Sequence, residues 1–426
     1  MSLKIKSFIA KSGERFCQLY SSSEPWPLFY PTAFILRTIR LKATHDTQKV
    51  YLEAIKRLCE WEAEKKISLE IRFQRGEFLR PHEIDELARH LNAARRGKPG
   101  EAISASKGNT YVAYAGQYLQ WLADEVITDT SSPAVRLMID TQRRRFKDKL
   151  IPKTGSKSAK NQETLDKHLS EESRGQLQAL WNDPFVKLFR PADRGSRLRS
   201  VVMLRTLYET GMRRGELLSL KLRNLLESTG GAGARLVIQR NHGDEYDTRI
   251  NQPVAKTQGR TVPITTALEQ QLIEYIVEYR ADVPSVGFDD QDFVFVTHRG
   301  RRGQGKPLSI SNFDQAVAEL RKLFPALGPL HPHLLRHDWN YRFSKTVKEL
   351  KKEEKLSTKR ARELREILMG WSEGSEMSLR YNLRQLQEES WSIGLQIAGD
   401  SIRHTPPSIN TRTEAQKLAL VVANTK

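Results

Sequence analysis

From Thr44 onward the apolar positions of this chain recur at helical spacing. Val50, Ala54, Leu58 and Trp61 fall on one face, as do Ile84, Leu87 and Leu91 after Pro81. A break at Gly97 to Gly100 leads into a third run, in which Tyr111, Tyr114, Tyr118 and Trp121 lie near one side. Aromatics at that spacing read as helix core rather than as a base-stacking platform. A fourth run surrounds Val135 to Phe146 and carries the cluster Arg143, Arg144 and Arg145. Together these predict a small helical domain over residues 44–150. Ahead of it, residues 1–43 mix basic and aromatic side chains with Pro25, Pro27 and Pro31. Residues 21–31 cannot form a continuous helix, because the residue before each proline is pushed out of the α region. This N-terminal extension reads as a strap on the helical domain in preference to an accessory DNA-contacting arm.

Residues 151–168 have linker composition, with Pro152, Gly155 and scattered Lys and Ser. A helix then starts at Ser170, whose hydroxyl suits an N-cap and whose followers Glu171 and Glu172 suit the helix dipole. Helical pattern continues through Arg199 to Tyr208. Three short strands are expected at Arg235 to Gln239, around Asp247 to Val254, and at Arg260 to Ile264. Helices resume over Thr266 to Tyr279 and Ser309 to Leu323. The prediction is therefore an α+β protein, mainly helical with a small antiparallel sheet, its second domain spanning 169–398 and a polar tail 399–426.

Composition sharpens this. Lys and Arg total 70 against 51 Asp and Glu, a formal charge of +19, and such a surface attracts polyanions in a salt-dependent way. The only cysteines are Cys17 and Cys59, too few for a disulfide framework or a thiolate metal site and in keeping with a reducing compartment. No apolar run approaches the roughly 20 residues of a membrane span, and the N-terminus lacks the pattern of a secretory signal. A soluble cytoplasmic protein is expected, with no membrane partner.

Four segments carry candidate chemistry. Residues 210–217 read T-G-M-R-R-G-E-L, in which Gly211 breaks one helix, Arg213 opens the next and Glu216 is placed to accept hydrogen bonds from the loop. Lys256 lies in A-K-T-Q-G-R-T-V-P-I, a turn between two of the expected strands. From His331 the chain reads H-P-H-L-L-R-H-D, which sets His333 and Arg336 on one face of a helix start. His333 and His337 are four apart, the spacing of a zinc pair, but no Cys or carboxylate motif completes a shell and His337 reads as structural. Residues 368–381 read L-M-G-W-S-E-G-S-E-M-S-L-R-Y, with Gly370 a helix C-cap, Trp371 after it, and Ser378 capping a short helix that bears Tyr381. Each piece alone is ordinary. Brought together, they set two guanidiniums, an ammonium, an imidazole and an indole N–H around one phenol, and forked guanidiniums match the non-bridging oxygens of a phosphodiester.

In order and spacing these segments resemble the catalytic domain of the tyrosine recombinase (phage integrase) family, over about residues 169–386. The family pattern is a T-G-x-R-x-x-E-L box, a hairpin lysine, an H-x-x-R box, an L-G-H/W segment and a tyrosine about nine residues on. This chain departs from it at Trp371, where most members have histidine, in a tyrosine spacing one residue longer, and at Leu334, where the family often has a polar residue. The helical region resembles the family's core-binding domain by placement and length.

The resemblance implies a site-specific recombinase. Tyr381 would attack the scissile phosphate to form a 3′-phosphotyrosyl link, with His333 as proton acceptor. Arg213 and Arg336 would stabilise the phosphorane, Lys256 would protonate the leaving 5′-oxygen, and Trp371 would hydrogen-bond a non-bridging oxygen. It implies no cofactor, metal or ATP. Double-stranded DNA would be the substrate, held by a tetramer of this chain through a Holliday junction, with accessory DNA-bending or directionality proteins as further partners and a bacterial source. The segment after Arg384, including Trp391 to Ile397, would be exchanged between protomers or packed on its own domain. Two other readings stay open: type IB topoisomerase-like strand relaxation, and a non-catalytic DNA-binding protein that retains the fold.

Overall fold

The computed structural model describes residues 2–94, 101–152, 168–255, 257–300, 303–353, 355–375, 377, 390–391, 393, 395 and 397. Most of the expected linker and the whole C-terminal tail lie outside the described residues.

The chain opens with an antiparallel hairpin, β1 (Leu3–Ile9) and β2 (Arg15–Ser21), in register from Leu3 opposite Ser21 to Ile9 opposite Arg15. Alternate residues of β2, namely Arg15, Cys17, Leu19 and Ser21, are buried. Such period-two burial is that of a strand with one face against a core. After the prolines come α1 (Phe29–Phe34) and a π-helical turn over Ile35–Ile39. Five helices follow: α2 (His45–Lys65), α3 (Leu69–Gln74), α4 (Pro81–Asn92), α5 (Ala105–Val126) and α6 (Pro133–Asp148).

All of these elements share one core. Leu3, Cys17, Leu19, Phe34 and Ile35 pack with Leu52, Leu58 and Trp61 of α2 and with Tyr111, Tyr118 and Leu119 of α5. The aromatic face of α5 is core, as its spacing predicts: Tyr114 stacks on Tyr51 with ring centroids 3.6 Å apart. The N-terminal segment is thus a strap packed on the helices, and it also reaches further along the chain.

A second core gathers α7 (Glu171–Asn182), α8 (Arg194–Thr210), α9 (Arg214–Leu218), a small sheet, α10 (Thr266–Glu274), α11 (Ile310–Leu323) and α12 (Pro332–Lys352). Ser170 caps α7 as expected, accepting from Ser173 N at 3.1 Å. The sheet has the order β3 (Leu225–Leu226), β4 (Arg235–Ile238), β5 (Arg260–Pro263), antiparallel throughout. The expected strand around Asp247 to Val254 does not form, so the stretch before Lys256 is a long loop rather than one arm of a tight hairpin. Side chains satisfy this loop where a ladder would have done so. Asn241 donates to Pro253 O and accepts from Ala255 N, while Gln252 donates to Asn241 O. The last described long helix, α13 (Thr358–Met369), ends at Gly370 with φ 64°, the left-handed C-cap that glycine adopts without strain. No helix among the described residues is long and apolar enough to cross a membrane.

Candidate functional site

Gly211 ends α8 at φ 64°. A Cβ there would meet the Trp339 ring at 2.8 Å, so both backbone conformation and space call for glycine. The turn delivers Arg213 to the N-cap of α9, where its backbone N–H donates to Glu216 Oε2 at 2.9 Å. The Arg213 guanidinium is one-third exposed, and its Nη1 lies 3.5 Å from Glu216 Oε1. That Nη1 has no hydrogen-bond partner among the described residues.

Glu216 is the hub of the site. It is fully buried, and Arg260 grips it with two guanidinium nitrogens, Nη2 to Oε2 at 2.8 Å and Nη1 to Oε1 at 3.3 Å. Thr257 Oγ1 donates to the same carboxylate and accepts from Arg260 Nη1. Burial works to raise the Glu216 carboxyl, but the Arg260 contact, the Thr257 hydroxyl and the Arg213 amide outweigh it and hold the group at about 2. Arg260 also donates through Nε to Leu368 O at 2.7 Å, and Gln258 N donates to Gly370 O at 3.2 Å. These bonds pin the chain on either side of the Gly370 turn to the residues that follow Lys256.

Arg336 sits one turn into α12 and is 1% exposed. Its Nη1 donates to Gly211 O at 2.7 Å and its Nη2 to Met369 O at 3.4 Å, with the guanidinium carbon 5.7 Å from the Trp371 ring. Trp371 and Met369 form a small cluster with Trp339 packed against it, and Trp339 Nε1 donates to Glu209 O at 2.9 Å. His333, a turn earlier, is exposed and meets the His337 ring edge-on at 4.5 Å. His331 is the helix N-cap, its Nδ1 accepting from Leu334 N. Among the described residues no cluster of His, Cys, Asp or Glu is set to hold a metal ion.

Three of the four segments are therefore joined directly. The Arg213 turn and the Gly370–Trp371 turn both meet Arg336, and the residues after Lys256 are bound to both turns through Arg260. Lys256 itself, and Tyr381 with its proposed cap Ser378, lie outside the described residues. Arg260 and Thr257 were not singled out by motif. The signal for Arg260 was alternation: in R-T-V-P the arginine shares the inward face with Val262 while Thr261 and Pro263 face out, and an inward-pointing charge in a strand calls for a buried partner.

Residues 182–357 match the model described as Phage integrase family. The match covers less than half of the chain. The chain is 29% identical over 161 residues to tyrosine recombinase XerC of Bacillus pumilus, covering 37% of this chain and 45% of that protein. It is 31% identical over 142 residues to tyrosine recombinase XerD of Halalkalibacterium halodurans, covering 33% of this chain and 39% of that protein. The alignment thus spans less than half the length of either relative. Among solved structures, XerH recombinase in a post-cleavage complex with difH substrate aligns over 82% of this chain and 80% of its own at TM-score 0.49 and 16% identity. The Tn1549 transposon integrase aligns over 83% and 93% at TM-score 0.47 and 14% identity. The region that matches the family model covers the Arg213, Lys256, His333 and Arg336 segments, and the Trp371 and Tyr381 segment follows its end.

Proposed function

We propose that this chain is a site-specific DNA recombinase that cuts and rejoins strands through a 3′-phosphotyrosyl intermediate. The observation that carries this reading is the Arg336 fork, which bonds Gly211 O two residues before Arg213 and lies beside the Trp371 ring. That bond ties the Arg336 guanidinium to the turn that carries Arg213, whose partly exposed side chain has a buried nitrogen with no hydrogen bond among the described residues.

In this reading Tyr381 attacks the phosphorus, its proton passing to His333, which stands exposed at the start of α12. A phenol with a reference pKa of about 10 needs both that acceptor and a cationic site to act near neutrality. Arg213 and Arg336 balance charge on the phosphorane, the contribution that usually dominates such sites. Trp371 adds an N–H toward a non-bridging oxygen. Lys256 protonates the departing 5′-oxygen. The tyrosyl bond conserves the energy of the broken phosphodiester, and attack by a 5′-hydroxyl of another strand returns the phenol. Strand exchange between two DNA sites then requires four protomers and a Holliday junction. The exposed side chains of Trp391, Ile393, Leu395 and Ile397 fit a C-terminal segment that packs on a neighbouring protomer.

A suicide substrate tests this reading. Nicked, labelled duplex from sequences flanking the gene is incubated without metal with wild type and Tyr381→Phe. A denaturant-resistant adduct with wild type alone supports the proposal. Salt-sensitive binding with no adduct favours a DNA-binding protein that retains the fold. Relaxation of plasmid that carries no paired sites favours topoisomerase-like action.

A further inference from the structure

The N-terminal hairpin does more than strap the helical core. Its Arg15, at the start of β2, is 5% exposed and enters the loop between β4 and β5. There Nε donates to Arg249 O at 3.0 Å, Nη1 to Asp244 O at 3.2 Å, and Nη2 to Asp247 O. Nη1 also donates to Gly13 O within the hairpin turn. The turn is seated tightly: Gly13 has φ 78°, and a Cβ there would meet Gly243 O at 2.4 Å. A guanidinium buried on three carbonyls of a loop more than 225 residues away in the chain organises that loop's backbone as a strand ladder would.

The same loop reaches the candidate site through a second arginine. Asp247 is 1% exposed and takes Arg249 Nε at 2.9 Å and Nη2 at 2.8 Å. Arg249 then donates through Nη2 to Leu218 O, the C-terminal residue of α9, at 3.1 Å, and through Nη1 to Leu308 O at 2.6 Å. Helix α9 is the five-residue helix whose N-cap is Arg213. On its other side Gly215 lies against Val254, where a Cβ would meet Val254 O at 2.6 Å. So short a helix has little stability of its own, and its position depends on what holds its ends.

We propose that Arg15 is a positioning residue for Arg213. By fixing the 244–249 backbone it orients the Asp247–Arg249 pair, which holds the C-terminal end of α9. The N-terminal hairpin is in this way part of the apparatus that aims the phosphate-binding arginine. This rests on the recombinase reading for its catalytic consequence but not for its structural one.

The test uses the full chain as wild type, Arg15→Met, Arg15→Lys and Gly13→Ala. Arg15→Met leaves Asp247 paired with Arg249, so no carboxylate is stranded. Gly13→Ala disturbs the same contact with Arg15 intact, and serves if Arg15→Met fails to fold. Without DNA, amide hydrogen exchange is followed at residues 241–250 and 217–220. The expected result is exchange at least about 10-fold faster in both segments for Arg15→Met and Gly13→Ala, with the α2 and α5 amides unchanged. Arg15→Lys falls between, since one ammonium cannot reproduce the fork. Unchanged exchange at 217–220 overturns the proposal. With DNA at saturation, the adduct rate is expected to fall about 10-fold while DNA affinity stays within about 3-fold. A rate that holds while exchange rises, or rate and affinity falling together as for a DNA contact, also overturns it. Wild type giving no adduct on any flanking DNA refutes the recombinase reading instead, and the exchange data then decide the structural claim alone.

Discussion

Arg260 and Glu216 form a two-point ion pair inside the protein, with side-chain exposures of 3% and 0%. It links strand β5 to the helix that follows Arg213, and through Arg260 Nε to the carbonyl of Leu368. Breaking such a pair leaves a buried charge without its partner, which costs about 3 to 5 kcal/mol. Arg260→Ala is expected to lower the unfolding free energy by that amount in urea, with the larger loss of adduct formation expected of a misaligned site. An Arg260→Met, Glu216→Leu double variant should recover stability but not cleavage.

The same pair sets an acid limb of stability. Glu216 is held at about 2 against a reference of 4.5. Its folded value lies below its unfolded one, so its contribution is complete above about pH 4.5 and drains away as pH falls toward 2. The shift corresponds to about 3 kcal/mol at full extent. Chemical denaturation at stepped pH should show this loss in wild type and its absence in Glu216→Gln, which starts from lower stability at pH 6.

Gly211 and Gly370 were legible in the sequence as helix breakers, and both adopt φ 64°. What the motif could not convey is why neither tolerates a side chain: at Gly211 the obstacle is Trp339, and at Gly370 it is Arg260 Nη1 at 2.8 Å and Gln258 O at 2.9 Å. Gly211→Ala is expected to destabilise by about 1 to 3 kcal/mol from backbone strain alone. It should also slow cleavage at saturating DNA, because Gly211 O is the acceptor of Arg336. A thermal melt and a single-turnover assay on one preparation check both.

The helices were readable because their apolar residues keep a period that survives any tertiary context, as along Ala54, Leu58 and Trp61 and in the α5 aromatics. The Gly211–Arg213 turn, the His331 start of α12 and the Gly370 turn were readable because each carries its own local geometry of cap or turn. The 239–259 loop was not. Its Val254 and Ile250 resemble strand residues, but the side chains of Arg15, Asn241 and Gln252 satisfy its backbone, the first from the far end of the chain. No local pattern encodes a partner 234 residues away. The hairpin itself was missed for the same reason. With its buried face spread over Leu3, Arg15, Cys17 and Leu19, an arginine and a cysteine stand where a clean alternation would show aliphatics.

Arg336 is expected to be intolerant of its nearest substitute. Its fork bridges Gly211 O and Met369 O beside the Trp371 ring, and a lysine supplies charge without the planar two-point geometry. Arg336→Lys should cut the rate of phosphotyrosyl adduct formation by about 100-fold, the scale on which one preorganised donor to a developing oxyanion acts. DNA affinity at moderate salt should change far less, since the site contributes one contact among many. Equal losses in rate and affinity would place Arg336 in binding rather than in the reaction.

His298 supplies a second, separable pH response. Burial, followed by the nearby charges of Arg199 and Arg299, lowers it from 6.5 to about 3, and its Nε2 lies 3.1 Å from the Tyr275 hydroxyl. The imidazole is therefore neutral in the fold and charges readily once unfolded. Its contribution is present above about pH 6.5 and is lost as pH falls toward 3, with a slope of about 1.4 kcal/mol per pH unit for one proton. Between pH 6 and 5 Glu216 is ionised in both states, so the slope there comes from His298 and from His45, which burial also lowers. Denaturation midpoints in that window should fall with acidification for wild type and fall less steeply for His298→Gln. An undiminished slope in the variant would show that His298 is not the group responsible, and the ring charge of His298 could then be measured directly by NMR titration of its Cε1 proton.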